Sequence, residues 1–458
     1  MRSRNLMILA LVAFAVGSFI YFFERHQMTS DERAERADRF FPALDADEVV
    51  AAELNGRHGA VTLAKRGDEW RMTSPLDYPA DGASVRSALQ ALAALDVDRS
   101  LAPDEVDPVE FGLDDPEVTA VLTTGAGEVF AIEVGGELPL GSKRAVRKRG
   151  EEAIHLCAGA FAAQLDREVD AWRSRDVVEV LEDDLASVEI TTAEDRIVAV
   201  RSGDVWRLLS PVEDIADQDQ MRSLISELNA LRIRDFLPAD ADPAEHGLDA
   251  PEYRVVLTHA DAAAAVTLEL AGVADDAGSV VVRRNGSELF RISDSIRPRL
   301  AKAPVLWRSD TVWPFSTWDV ATVEISSGDA QVVLERTEDD ELGRVWRLED
   351  GSLADDVGVR RRLTALADLE VREHDLVLPP TEVVGSVILV VDDAVGAEGL
   401  TYTFYAPIED GGLAAVTVST RANVMGVDAV TAETILSDPG SLRPEPEMAT
   451  ADEVSTTN

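Results

Sequence analysis

The stretch Glu69–Pro75 reads EWRMTSP, and two later stretches repeat its pattern. It becomes VWRLLSP at Val205–Pro211 and VWRLEDG at Val345–Gly351. The three tryptophans are almost evenly spaced, since the interval from Trp206 to Trp346 is only slightly longer than that from Trp70 to Trp206. Self-similarity at a fixed period is the sequence signature of a repeat architecture. A chain of 458 residues also has room for about three domains of ordinary size. The sequence predicts three tandem units.

Two further motifs share this period. The sequence FGLDDP at Phe111–Pro116 returns as HGLDAP at His246–Pro251, after almost the same interval as the first two tryptophans. Trp-Arg-Ser at Trp172–Ser174 returns as Trp307–Ser309, again after that interval. Landmarks that agree independently on one period indicate internal repetition. The third copy lacks the Gly-Leu-Asp turn, so we expect it to be degenerate.

Each unit combines strand-like alternation with one amphipathic helix. Period-two alternation before and after the helix predicts strands, and Asn285-Gly286 predicts a tight hairpin turn. The apolar helix positions are Val85, Ala88, Leu89, Leu92 and Leu95, then Met221, Leu224, Ile225, Leu228 and Leu231, then Val359, Leu363, Leu366 and Leu369. Such spacing is typical of a helix face that packs on a sheet. The predicted fold class is α+β, a tandem repeat of about three β-rich α+β units behind one N-terminal transmembrane helix.

That helix is predicted from the uninterrupted apolar segment Leu6–Phe23. Its length is at the short end of the roughly 17–25 residues that cross a bilayer. Arg2 and Arg4 precede it, which favours a cytoplasmic N-terminus and an extracytoplasmic body. The alternative is a cleaved signal peptide, because Ala13-Phe14-Ala15 matches a cleavage pattern. Cleavage there would leave the apolar residues Val16–Phe23 on the mature chain, so we favour the uncleaved anchor.

The landmarks also divide the chain into segments. We predict a cytoplasmic N-terminus at 1–5, a transmembrane signal anchor at 6–23, a stalk at 24–40, repeat units at 41–175, 176–310 and 311–441, and a disordered tail at 442–458. The stalk is polar, with charges spaced as in a solvated helix. The tail is rich in Pro, Glu, Ser and Thr and has no periodicity, which is typical of disorder.

The composition argues against a nucleic-acid partner and against sites that need several cysteines. The chain has 86 acidic against 43 basic residues, a net charge of −43 and a pI of about 4.4. Such a field repels phosphate backbones, so we expect no nucleic-acid partner. Cys157 is the single cysteine, which excludes an intrachain disulfide and any multi-cysteine metal site.

The sequence contains no familiar catalytic motif. It has no G-x-S-x-G, no H-E-x-x-H and no Walker A sequence. His155 and Cys157 lie two apart on a predicted strand, so they would share a face, and a Cys-His catalytic pair would use such proximity. We align them with Arg291 and Ser293, which favours an exposed face without chemistry. We therefore predict no catalytic residues and no cofactor.

Acidic clusters raise the question of a metal site. They comprise Asp104, Glu105, Asp107 and Glu110 in the first unit, and Asp214, Asp217 and Asp219 in the second. Neither cluster matches an EF-hand loop, and we predict no metal ligands. Asp107-Pro108 and Asp242-Pro243 instead fit a helix cap followed by proline, closed by Gly112 or Gly247. Weak Ca²⁺ binding stays an alternative.

One aromatic segment has no counterpart in the second unit. Trp313–Trp318 reads WPFSTW, whereas the corresponding residues Val178–Asp183 read VEVLED. Unshared aromatic residues point to a contact surface, with packing between units as the alternative. We take Trp313, Phe315 and Trp318 as candidate partner contacts.

Taken together, the anchor, the Trp-Arg strand before a helix and the Phe-Gly-Leu-Asp-x-Pro turn resemble the bacterial family of domain of unknown function 4340. The resemblance covers most of residues 41–440, and the third copy departs from it. Members of the family are similar in setting to auxiliary components of gliding-motility-type ABC export systems. The resemblance therefore implies a partner complex with an ABC permease and ATPase, and it supplies no catalytic residues.

These observations lead to one predicted function and one alternative. The prediction is a non-enzymatic, single-pass inner-membrane protein with a periplasmic body, acting as an accessory or scaffold of an ABC-type transport or envelope complex. The alternative is an extracytoplasmic glycan-binding module, or a hydrolase with an unrecognised site.

Overall fold

The computed structural model describes residues 36–102, 106–139, 142–261, 265–376, 382–391, 399–408 and 412–443. The predicted anchor at Leu6–Phe23 lies outside these ranges, as does the predicted tail at 442–458 apart from Leu442 and Arg443. Within the described ranges, no helix combines the length and apolar character needed to span a bilayer. The chain divides into two compact units, one ending at Arg175 and the other beginning at Asp176.

The first unit contains one antiparallel sheet. Its strands are β1 (Val49–Gly56), β2 (Gly59–Arg66), β3 (Glu69–Ser74), β4 (Tyr78–Pro79), β5 (Arg99–Leu101), β6 (Val118–Thr124), β7 (Val129–Glu137), β8 (Lys143–Lys148) and β9 (Ile154–Ala158). The order is β4-β3-β2-β1-β6-β7-β8-β9-β5. Its α-helices are α1 (Gly82–Ala93) and α2 (Ala162–Leu165).

The second unit contains two sheets, and the first of them repeats this topology. Its strands are β10 (Leu185–Thr191), β11 (Arg196–Ser202), β12 (Val205–Ser210), β13 (Asp214–Ile215), β14 (Asp235–Phe236), β15 (Tyr253–His259), β16 (Ala265–Leu270), β17 (Ser279–Arg284) and β18 (Glu288–Ser293). The order β13-β12-β11-β10-β15-β16-β17-β18-β14 matches the first sheet strand for strand. Its helices are α3 (Gln218–Ala230) and α4 (Arg297–Leu300).

The third sheet is an abridged copy. Its strands are β19 (Val320–Ser327), β20 (Ala330–Asp339), β21 (Gly343–Leu348), β22 (Val371–Glu373), β23 (Val383–Val391), β24 (Leu400–Ile408), β25 (Leu413–Val418) and β26 (Met425–Asp428). The order is β21-β20-β19-β23-β24-β25-β26-β22, and a single bridge between Arg347 and Leu353 replaces the short strand of the other sheets. Its helices are α5 (Asp356–Ala367) and α6 (Ala429–Ile435). The prediction of a β-rich, repeated fold is confirmed.

The long helices α1, α3 and α5 form for the reasons that the sequence indicated. Each begins after an aspartate whose carboxylate accepts a backbone N–H of the first turn, at Asp81, Asp217 and Asp355. The predicted apolar positions are all buried. Burying one such leucine contributes about 2 kcal/mol, so the stripe fixes which helix face meets the sheet.

The Asp-Pro turns are also confirmed. Asp107 and Asp242 each cap a short 3₁₀-helix that begins with proline. Gly112 and Gly247 close these turns with φ angles of 66° and 75°, in the left-handed region. A side chain at Gly112 would also come within 3.2 Å of the backbone N of Gly136. Asp107 and Asp242 are therefore helix caps.

Candidate functional site

The predicted contact segment leads into the first strand of the third sheet. Trp313 and Phe315 are half-buried and pack against the hydrophobic core of that sheet. Trp318 is 70% exposed. The three candidate rings therefore have two different environments, and Trp318 is the most exposed of the three.

A recurring arginine establishes how this segment corresponds to the second sheet. Arg336 on β20 donates from Nη2 to the carbonyl of Thr317 at 2.7 Å, and from Nη1 to the carbonyl of Trp318. Arg201 on β11 donates from Nη1 to the carbonyl of Glu182, also at 2.7 Å. The shared contact makes Thr317 the counterpart of Glu182, and hence Trp318 the counterpart of the next residue, Asp183.

The counterparts of the three rings explain their environments. Val178 and Val180 stand where the third sheet has Trp313 and Phe315, and both valines are buried. The two rings thus enlarge positions that already belong to the core. The side chain of Asp183 is 87% exposed, so Trp318 replaces an exposed acid with an exposed indole.

The backbone beneath Trp318 is held in place. The Trp318 N–H donates to Ser316 Oγ at 3.2 Å, and the Asp319 N–H donates to the Ser316 carbonyl at 3.1 Å. The guanidinium of Arg336, which binds the segment's carbonyls, lies 4.6 Å from the centroid of the Trp346 ring. A partner that binds Trp318 would therefore order little additional backbone, which lowers the entropic cost of binding.

A second feature is a buried group of charges, here called the ionic joint: Asp214, Arg308, Asp375 and Arg421. The side chains of Asp214 and Arg421 have no exposed surface and approach within 2.7 Å. Arg308 donates from Nε to Asp214 at 2.6 Å and from Nη2 to Asp375 at 3.0 Å. Asp214 lies on β13 of the second sheet, whereas Asp375 and Arg421 follow strands of the third. The joint therefore fastens these two sheets together.

Arg421 also holds the chain that connects the two sheets. Its Nη1 donates to the carbonyls of Thr311 and Val312, at 2.9 and 3.0 Å. Arg284 of the second sheet makes the equivalent contacts with the carbonyls of Asp176 and Val177, at 3.0 and 2.7 Å. In each of these two sheets one arginine thus secures the incoming chain, and each of these arginines also makes an ion pair, Arg284 with Glu288 and Arg421 with Asp214.

The ionic joint is suited to structure rather than to proton transfer. Burial by itself raises the pKa of the Asp214 carboxyl, but the guanidinium groups of Arg421 and Arg308 outweigh it and hold that pKa below its ordinary value. Asp214 is thereby kept ionised and saturated with donors. A catalytic acid or base needs a pKa near the working pH, and Asp214 is shifted away from it.

The prediction that Cys157 lies on an exposed face is wrong. Its side chain is fully buried, and burial raises the pKa of the thiol to about 12. The thiol therefore stays protonated at neutral pH, and it is the thiolate that acts as a nucleophile. His155 instead lies with Nδ1 2.9 Å from Ser100 Oγ.

The misplacement of Cys157 has a geometric cause. The cross-strand ion pairs Glu133–Arg147 and Glu269–Arg283 show that β8 corresponds to β17. The following hairpin is one residue shorter in the second sheet. The first sheet has five residues between the two strands, whereas the second sheet has three, followed by a final strand that is one residue longer. The counterparts of His155 and Cys157 are therefore Phe290 and Ile292, both buried. A slip of one residue moves a side chain to the opposite face of a strand.

The acidic cluster before α3 is accounted for by other contacts. Asp214 belongs to the ionic joint, Asp217 caps the helix, and Asp219 pairs with Arg222 at 2.7 Å. Over the part of the chain that the structure describes, no three His, Cys, Asp or Glu side chains are grouped closely enough to hold a metal ion.

Two open clefts are lined by charges that are paired with each other. A cleft of about 330 Å³ in the first unit contains the pairs Arg57–Asp166 and Arg144–Glu117, at 2.9 and 2.7 Å. A cleft of about 410 Å³ beside α3 contains the pair Arg299–Glu227. In both clefts a ligand would have to compete with these ion pairs for the charged groups.

Comparisons with known proteins identify one family. The model described as domain of unknown function (DUF4340) matches residues 70–251 and again residues 206–375, which together span more than half of the chain. The two matches begin at Trp70 and Trp206, one repeat apart. No curated protein matches the chain. The crystal structure of the DNA polymerase III β subunit from Thermotoga maritima is similar at 9% identity over 87% of this chain and 94% of that chain, with a TM-score of 0.16, too low to support an argument about fold or function.

Proposed function

This chain belongs to the family described as domain of unknown function (DUF4340), and we propose that it is a non-enzymatic, membrane-anchored accessory or scaffold protein. In this proposal Leu6–Phe23 anchors the chain in the inner membrane as a single pass, with the N-terminus in the cytoplasm. The β-rich body lies on the extracytoplasmic side. It binds a membrane protein complex, specifically an ABC-type permease with its ATPase, through protein surface.

Trp318 is the observation that carries the proposal. Trp318 presents a large aromatic side chain that is 70% exposed on a backbone already held in place. Tryptophan is enriched among the interface residues that dominate binding energy, and losing one commonly weakens binding by about 2 kcal/mol or more. The net charge of −43 also disfavours nucleic acid and anionic lipid as the occupant.

The orientation of the body is directly testable. Because Arg2 and Arg4 precede the apolar segment, protease added to spheroplasts should digest the body while a cytoplasmic marker protein stays intact. An immunoblot against a C-terminal tag measures the loss. Survival of the body in spheroplasts, with the marker also intact, would place the body in the cytoplasm and contradict the proposal.

The role of Trp318 gives a second prediction. Trp318→Ala should lower affinity for the partner complex about 30-fold, the equivalent of about 2 kcal/mol, when the full chain is recovered by a tag from gently solubilised membranes. The thermal midpoint should stay within about one degree, because the ring is largely exposed. Quantitative mass spectrometry of the co-recovered permease and ATPase measures the effect.

A matched control lies in the second sheet. Leu181 occupies the corresponding entry segment and is also 70% exposed. Leu181→Ala should leave recovery of the permease and ATPase unchanged. Equal recovery with both variants would remove the support for Trp318, and failure to recover any permease or ATPase with the unaltered chain would contradict the accessory role. We do not propose the alternative of a glycan-binding module or hydrolase, because no observation on the described residues favours it.

A further inference from the structure

The hairpin between β20 and β21 is longer than its counterpart in the second sheet. β20 has ten residues, whereas β11 has seven. This difference accounts for most of the longer spacing between Trp206 and Trp346. The additional residues are acidic from Glu338 to Glu341 and are followed by Leu342, which is 61% exposed.

The tip of this hairpin is well ordered by its own contacts. Asp339 Oδ1 accepts the backbone N–H groups of Glu341 and Leu342, at 3.0 and 3.1 Å. Arg347 donates from Nη2 to Asp339 Oδ2 at 2.6 Å. Leu342 is therefore presented to solvent on a fixed turn, in the same way as Trp318 on its own segment.

Leu342 and Trp318 lie at the same end of the third sheet. In the antiparallel pairing of β19 with β20, Thr322 is opposite Glu335, so the chain before β19 runs beside the end of β20. The contact of Arg336 with the carbonyl of Trp318 confirms this proximity. Two exposed apolar side chains thus occur at one end of one sheet.

The corresponding end of the second sheet carries polar side chains. Arg201 lies 2.8 Å from Asp183, the counterpart of Trp318, and 3.7 Å from Asp204, in the β11–β12 turn. The third sheet has an indole in the place of Asp183, whereas Leu342 belongs to the additional part of the β20–β21 hairpin, which the second sheet lacks. Trp318 therefore replaces an acid of the second sheet, and Leu342 is an addition of the third.

We propose that Trp318 and Leu342 form one docking surface for a protein segment with an apolar anchor flanked by lysine or arginine. This inference rests on the proposed function and specifies the chemistry of the partner. Glu338, Asp340 and Glu341 are exposed around the hairpin tip. Glu338 pairs with Arg344, 3.7 Å away and also exposed, so the arginine neutralises little of its charge. An acidic rim attracts a basic segment and repels anionic lipid.

The test uses the full chain in nanodiscs of neutral phosphatidylcholine and three probes. One is a peptide with a central Leu-Phe pair flanked by lysine and arginine, the second has the same centre flanked by glutamate, and the third is a phosphatidylglycerol vesicle. We expect the basic peptide alone to bind, and its affinity should fall when the salt concentration rises from about 0.05 to about 0.5 M.

Substitutions test where the basic peptide binds. Trp318→Ala and Leu342→Ala should each weaken binding of the basic peptide about tenfold or more. Asp340→Asn combined with Glu341→Gln should weaken it and reduce its salt dependence. The control is Val273→Ala, because Val273 is 84% exposed in the loop between β16 and β17 and its replacement should not change binding. Equal binding of both peptides, an unaffected Leu342→Ala variant, or binding of the vesicle would each overturn the proposal.

The outcome separates this inference from the proposed function. If the basic peptide binds at Trp318 and Leu342 but no permease or ATPase is recovered from membranes, the docking surface stands and the ABC accessory role fails. If the permease is recovered equally well with Leu342→Ala and with the unaltered chain, the accessory role stands and the shared surface fails.

Discussion

Replacing Asp214 with alanine should lower the free energy of unfolding by about 3–5 kcal/mol. The substitution would leave Arg421 charged, buried and without its counter-ion at 2.7 Å, and would remove the 2.6 Å contact of Arg308. The matched control is Asp219→Ala. Asp219 also pairs with an arginine at 2.7 Å, but its side chain is 87% exposed, so the loss should be within about 0.5 kcal/mol.

Denaturant unfolding followed by tryptophan fluorescence measures both variants. A double variant tests whether the loss comes from the unpaired charge of Arg421. Asp214→Ala combined with Arg421→Met should be destabilised by less than the sum of the single changes, because it removes that buried charge. If Asp214→Ala and Asp219→Ala unfold at the same denaturant concentration, the ionic joint does not hold the two sheets together.

The contribution of Asp214 to stability should also depend on pH. The pKa of Asp214 is lower in the folded chain than its ordinary value, because the attraction of Arg421 and Arg308 outweighs the opposing effect of burial. The stabilisation is therefore fully present above the unfolded pKa of about 3.9 and is lost as the pH falls through the lower, folded value. The difference in stability between the unaltered chain and Asp214→Ala should shrink below about pH 4.

The second large effect is expected at Trp307, which follows the last strand of the second sheet. Trp307→Ala should lower the free energy of unfolding by about 3–5 kcal/mol, because the ring is 0% exposed and its removal leaves a large cavity. The Trp307 carbonyl also accepts the N–H of Asp217, the cap of α3, at 2.8 Å. Trp172 and Asp81 make the same contact in the first unit, again at 2.8 Å.

Two controls make this result specific. Trp318→Ala removes the same side chain from an exposed position and should change stability by no more than about 0.5 kcal/mol. Trp307→Leu should be milder than Trp307→Ala, because the third sheet has Leu442 in this role, buried and accepting the N–H of Asp355 at 3.0 Å. Equal losses for the alanine variants of Trp307 and Trp318 would contradict the assignment of Trp307 as a core anchor.

Local patterns in the sequence were sufficient to predict the helix faces, the caps and the repetition of the sheets. The position of Cys157 could not be predicted in this way, because a hairpin shorter by one residue reverses the face of the strand that follows it. The ionic joint was missed because Asp214 is close in sequence to Asp217 and Asp219, whereas Arg308 and Arg421 are far along the chain. The first unit offered no parallel, because Tyr78, its counterpart of Asp214, has no charge and stacks on Arg173 at 4.3 Å.

The aromatic segment contained information that the sequence comparison left unused. The residues opposite Trp313 and Phe315 are Val178 and Val180, and apolar counterparts at matched positions already indicate a shared core. The residue opposite Trp318 is Asp183, which indicates an exposed position. Comparison of the copies residue by residue would have separated the one accessible ring from the two packed ones.

The central claim is that an anchored body meets a membrane protein through the exposed ring of the third sheet. Photo-cross-linking in intact cells tests it most directly, with p-benzoylphenylalanine placed at position 318 of the full chain and, as the control, at position 183 in the equivalent site of the second sheet. We predict an adduct with an ABC-type permease from position 318 and none from position 183. Identical adducts from both positions, or adducts from 318 that contain only lipid, would contradict the claim.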